Sequence, residues 1–233
     1  MTMTKTITII LSVLLSISLW AGDKETRSLK SFDGVKVSSG ISATLVGSNE
    51  NKIDIDATGI DLDKIEATVD GGTLNVKIDQ SWWKMGWNSK RKVQVTIYYT
   101  EDLSSIESTS GAYITSDDIM DSDRLSVEAS SGSKIDIEVD TERLSSEVSS
   151  GASIVIDGSA DKAAVDVSSG SSFRGMDLTV EDADLDASSG ASIKIGVTGD
   201  LKADASSGGS IKYDGDPSST SIEKSSGGSV KKA

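Results

Sequence analysis

The 233-residue chain has no cysteine, no histidine, a single proline (Pro217) and only 4% aromatic residues. Lack of cysteine removes disulfides and thiolate metal sites. Lack of histidine excludes Ser-His-Asp and Cys-His nucleophilic arrangements and imidazole metal sites. With so few large side chains the interior must be thin, because Ala, Ser, Val and Ile cannot fill a wide core at native density. Positive charge is also scarce, at 23 Lys and Arg against 37 Asp and Glu, a net −14. A basic face able to neutralise phosphates is therefore missing, and nucleic acid is excluded as a partner. No cofactor is implied by any motif.

Long apolar runs are limited to the amino terminus. Lys5 precedes an apolar run from Ile7 to Trp20, and the polar chain begins at Ala21-Gly22-Asp23. About 14 residues fall short of the roughly 20 that span a bilayer, so residues 1–21 read as a secretory signal peptide cleaved near Ala21, with an uncleaved anchor as the alternative. The absence of cysteine near the cut excludes a lipoprotein anchor. Removal deletes Lys5 and no acid, leaving 22 basic and 37 acidic side chains. The expectation is an exported protein, periplasmic, extracellular or on the cell surface, whose acidity serves solubility, divalent-cation association or a basic partner.

What the chain has in abundance is Ser-Ser-Gly. It or Thr-Ser-Gly occurs eight times, and from Gly111 the glycines stand at 111, 132, 151, 170, 190, 208 and 227, at spacings of 21, 19, 19, 20, 18 and 19 residues. Units this short have no core of their own and must stack on their neighbours. Aligned on the glycine, the copies place Ile114, Ile135, Ile154, Phe173, Ile193, Ile211 and Val230 in one column. Alternation such as Leu125, Val127, Ala129 and then Ile135, Ile137, Val139 has period two, which means strands with one buried face. Short strands bent at a glycine corner that allows positive φ, with like residues superposed, predict an all-β fold. Its form is a single-stranded right-handed parallel β-helix with rungs of about 19 residues. An antiparallel sandwich is the rival architecture, but it does not require like residues to recur in every second strand. Residues 22–233 read as one domain, with irregular rungs or a cap over 28–100 and regular repeats over 101–233. Tiny residues at Ala112, Ser133, Ala152, Ser171, Ala191, Gly209 and Gly228 fit a tight interior apex.

The block Ser31-Phe32-Asp33-Gly34-Val35-Lys36-Val37-Ser38-Ser39-Gly40-Ile41-Ser42-Ala43-Thr44-Leu45, with Gly72-Thr73-Leu74-Asn75-Val76 and Val93-Gln94-Val95-Thr96-Ile97, resembles the bacterial family named putative auto-transporter adhesin, head GIN domain. The likeness covers roughly residues 28–215 and implies an exported β-helix. The naming Gly-Ile-Asn motif is Gly40-Ile41-Ser42 here, so no role of that asparagine carries over. No barrel-forming segment follows the repeats before Ala233, so self-export is not expected.

Two candidate sites emerge. Trp82, Trp83 and Trp87 stand beside Lys90, Arg91 and Lys92 in an otherwise acidic protein. Indole faces stack on sugars or sit at lipid interfaces, so this loop either contacts a ligand or folds over the coil end as a plug. The second is an acid in every repeat: Glu107, Glu128, Glu147, Asp166, Asp186, Asp204 and Glu223, with Arg174, Lys194, Lys212 and Lys231 in a column beyond the corner. The acidic stripe is either a solvated ladder, a weak divalent-cation surface or a docking face for the basic stripe of another copy. No specific metal site is expected, since neither the calcium-binding nonapeptide nor an EF-hand loop is present.

These features favour a non-catalytic cell-envelope or surface protein acting as an adhesion or interaction module, with a surface glycan or protein as partner. The alternatives are a carbohydrate-active β-helix enzyme, which needs acids clustered in a groove, and a passive self-assembling envelope scaffold.

Overall fold

The computed structural model describes residues 23–79 and 91–233, and within them it is the expected parallel β-helix. Long strands Lys134–Val148, Ser153–Val167 and Ser172–Ala187 lie parallel and in register, pairing Ile135 with Ile154, Ile154 with Phe173 and Phe173 with Ile193. Parallel pairing eliminates the antiparallel sandwich. Every apolar residue in that column from Ile114 to Ile211 has zero exposure, and terminal Val230 has 6%. Burial alternates along each strand until two consecutive exposed residues, Glu142-Arg143 or Asp161-Lys162, interrupt the pattern. That slip turns the next residues, Leu144 and Ala163, back inward. Each rung thus has two arms, joined at a serine-glycine corner on one side and at this charged bend on the other.

The corner differs from the expectation in its details. Not only the glycine but also the serine before it has positive φ, from 47° to 65° at Ser39, Ser110, Ser131, Ser150, Ser169, Ser189, Ser207 and Ser226. Two successive left-handed residues define a type I′ geometry. Ser133 N–H closes the turn on Ser130 O at 3.2 Å, and Ala152 on Ser149 O at 3.1 Å. The glycine N–H donates to the left-handed serine of the next rung, as from Gly132 to Ser150 O and from Gly151 to Ser169 O. A hydrogen-bond ladder therefore continues around the corner through the glycine donors. Space is not what selects the corner glycine, because a Cβ at Gly170 would meet nothing within 4 Å; its φ of +69° does. Close approach occurs at the apex instead, where a Cβ at Gly209 would lie 2.0 Å from Ala187 O.

Between residues 28 and 100 the amino-terminal part combines one regular rung with an irregular cap. Strands Gly34–Val37 and Ser42–Gly47 form a regular rung with its own left-handed corner at Ser39-Gly40. It pairs in parallel with Ser105–Ser108 and Tyr113–Ser116 on one side, and with Thr73–Ile78 and Lys92–Tyr99 on the other. Residues 34–47 thus lie between two rungs that both come later in sequence. The irregular cap is antiparallel: Lys52–Thr58 pairs with Lys92–Tyr99 and with Asp23–Ser28, and Ile65–Asp70 with Thr73–Ile78. Its polar outer strand Asp23–Ser28 blunts an otherwise unpaired sheet edge.

Candidate interaction surface

Strand register converts sequence columns into surface ladders. Glu107, Glu128, Glu147, Asp166, Asp186, Asp204 and Glu223 are direct lateral partners on seven consecutive rungs, on the outer face of one arm. Lys36 stands above Glu107 and bridges it at 2.6 Å. No ion pair reaches the other six among the described residues. Neighbouring rungs are about 4.8 Å apart, where two like charges repel by about 1 kcal/mol in water. The strain is felt at Asp186, whose pKa is raised by partial burial and by Asp166, Asp204 and Asp184.

Across the corner, on the outer face of the other arm, Arg174, Lys194, Lys212 and Lys231 are likewise register partners and exposed. None is ion-paired among the described residues. Serines 172, 192, 210 and 229 run beside them as a flat polar ladder.

A third ladder escaped the sequence reading. At the charged bend, Arg124, Arg143 and Lys162 stack on successive rungs and give way to Asp182. They help line an open groove of about 730 Å³, together with Ser126, Ser145 and Ala164. The carboxylates at its far end are engaged. Asp182 accepts from Asp200 N–H at 3.1 Å and bridges Lys162 at 3.3 Å, which together lower its pKa. Asp184 bridges Lys202 at 2.9 Å. The signal that could have revealed this column was the paired exposed positions, visible only once the bend is known.

Of the aromatic and basic cluster, Trp82, Trp83, Trp87 and Lys90 lie outside the described residues. Arg91 is partly buried, and Lys92 opens a strand opposite Thr58. Among the described residues, no group of three or more Asp, Glu, His or Cys is arranged to hold a metal ion.

The ladders set opposing pH effects. A carboxyl whose pKa the fold raises costs stability while ionised, and the cost disappears as pH falls through that raised value toward the ordinary 3.8. Carboxyls lowered by a partner, such as Asp182 and Asp216, stabilise above 3.8 and lose their contribution below it. Thermal midpoints should rise from neutral pH into the mildly acidic range and then fall. Asp186→Asn should raise the midpoint at neutral pH and flatten the rise; a wild-type midpoint that only declines, with the variant following it, contradicts this.

Residues 31–217 match the family described as putative auto-transporter adhesin, head GIN domain. The chain belongs to this family. The match covers all but the last rung and the cap except for its outer strand Asp23–Ser28, and the departure at Ser42 falls on a partly exposed position beside the first corner, flanked by Gln94 and Tyr113. Among solved structures, a putative adhesin from Bacteroides fragilis superposes with a TM-score of 0.79 at 18% identity, covering 91% of this chain and 96% of that one. A putative adhesin from Parabacteroides merdae gives 0.70 at 15% identity, over 91% and 95%. A putative lipid binding protein from Parabacteroides distasonis gives 0.63 at 17% identity, over 91% and 97%. At such identities the likeness establishes the shared fold. Comparison with curated proteins found no match.

Proposed function

We propose that the protein is an exported, non-catalytic adhesion module of the cell envelope or surface, touching its partner, a surface glycan or protein, through the flat outer faces of the solenoid. The observation that carries this reading is the set of register-matched charge ladders, held rigidly at one spacing on exposed strands. Such arrays suit extended, repetitive partners better than a small substrate. Membership of an adhesin family supports it. Chemistry in the groove does not favour an enzyme: Asp182 is held ionised and Asp184 is bridged by Lys202, whereas glycoside cleavage requires one carboxyl kept protonated across from another.

Protease treatment of intact producing cells is the test, combined with attachment assays on glycan- and protein-coated surfaces. The protein should be cleaved from intact cells, and cells lacking it should attach less. Protection from protease together with undiminished attachment refutes the proposal, and release of reducing ends from a glycan panel replaces it with the enzyme.

A further inference from the structure

We infer that copies of this chain associate side by side, parallel and without axial offset, by seating the basic ladder Arg174, Lys194, Lys212 and Lys231 of one copy on the acidic ladder Asp166, Asp186, Asp204 and Glu223 of the next. Both ladders occupy the same four rungs, since each acid lies eight residues before its cation: Asp166 before Arg174, Asp186 before Lys194, Asp204 before Lys212, Glu223 before Lys231. Their periods are identical because one strand spacing sets both. All eight side chains lack an intramolecular ion pair among the described residues, so each ladder carries like-charge repulsion that an opposing ladder relieves. A parallel arrangement with zero offset matches all four pairs while facing every rung of one copy with a rung of the next; a shift toward the carboxy end loses a pair, a shift toward the amino end keeps four by taking Glu147 in place of Glu223 but leaves a rung of each copy uncovered, and an antiparallel arrangement reverses the order of side-chain lengths.

The two ladders lie on different arms, either side of the corner. One contact therefore cannot use both ladders of both copies, and the interface is heterologous, leaving a free acidic face at one side and a free basic face at the other. The product is an open lateral series and not a closed dimer. Four rungs by one arm give a face of roughly 400 Å² per copy, about 800 Å² in total and below the roughly 1,000 Å² of a stable specific contact, so association is weak and grows with local concentration. A net charge of −14 repels copies at long range, and moderate salt screens that repulsion more than it screens charges in contact. This inference is independent of the adhesive reading, which a monomer satisfies equally.

Sedimentation velocity across concentration and ionic strength tests it with three variants, each checked for folding by circular dichroism. Wild type should form a concentration-dependent ladder of species that high salt dissolves. Lys194→Glu/Lys212→Glu should be monomeric, and so should Asp186→Lys/Asp204→Lys; mixed in equal amounts, the two should associate again because both altered ladders now match. Arg124→Glu/Arg143→Glu, which changes net charge as much as the lysine variant but at the bend, should behave as wild type. Monomeric wild type under all conditions, including the case in which the basic ladder serves an acidic polymer instead, overturns the inference. So does undiminished association of either reversed variant, or a mixture that stays monomeric.

Discussion

Phe173→Ala should destabilise the protein by about 3–5 kcal/mol, at the upper end for a core truncation. The size follows from an exchange of volume within one rung. Neighbouring rungs fill two inward positions with Ile135 and Ile137, Ile154 and Ile156, or Ile193 and Ile195, while this rung has Phe173 and Gly175. The ring lies over the glycine, where an added Cβ would come 3.0 Å from Phe173 Cε1. Removing the ring empties its own place and opens one side of the place beside the glycine, whose other side Leu178 fills. Phe173→Ile alone should recover part of the loss, and Phe173→Ile/Gly175→Ala somewhat more, the gain being limited by Leu178, whose Cβ and Cδ2 lie 3.2 and 3.3 Å from where the new Cβ would fall. Denaturant titration of the three proteins checks this, and a double variant no more stable than the alanine variant argues against the exchange. Because rungs contact only their neighbours, hydrogen exchange should accelerate most between the rungs of Ile154 and Ile193.

Gly158→Ala should cost about 2–6 kcal/mol, combining backbone strain with overpacking. Gly158 has φ of +110°, and a Cβ there would fall 2.0 Å from Val139 O in the preceding rung. A carbonyl engaged in the strand ladder has no room to yield, so the rung itself must shift. The pairing with the following rung already skips between Val155 and Gly158, which places the glycine at a local irregularity that the stack has absorbed. Gly170→Ala is the informative comparison: its φ is also positive, but the added Cβ finds open space, leaving a penalty of about 1 kcal/mol. Equal midpoint shifts for the two variants in thermal or chemical denaturation negate the distinction.

Those glycines also mark where sequence reading succeeds and where it stops. Superposition of residues 135, 154, 173 and 193 was legible because a parallel stack repeats whatever it contains, and the acidic and basic ladders followed from the same alignment. Left-handed serines were not legible, since serine adopts many local conformations and only the preceding turn geometry fixes this one. The Arg124, Arg143 and Lys162 ladder stayed hidden for a different reason. It sits at a bend where alternation slips by one residue, so a period-two reading loses count. Nor could periodicity reveal that residues 34–47 pair with 105–116 across an intervening antiparallel cap.

Such an interleaved start dictates a timetable. A polypeptide appearing amino end first exposes residues 34–47 with neither flanking neighbour yet made, and completion must wait until residue 116 is out. After that moment each further stretch of some nineteen residues meets a finished template and can wind onto it immediately. Maturation is therefore expected to show one slow, all-or-nothing founding event followed by rapid sequential growth, with the late rungs acting as a ratchet against retreat.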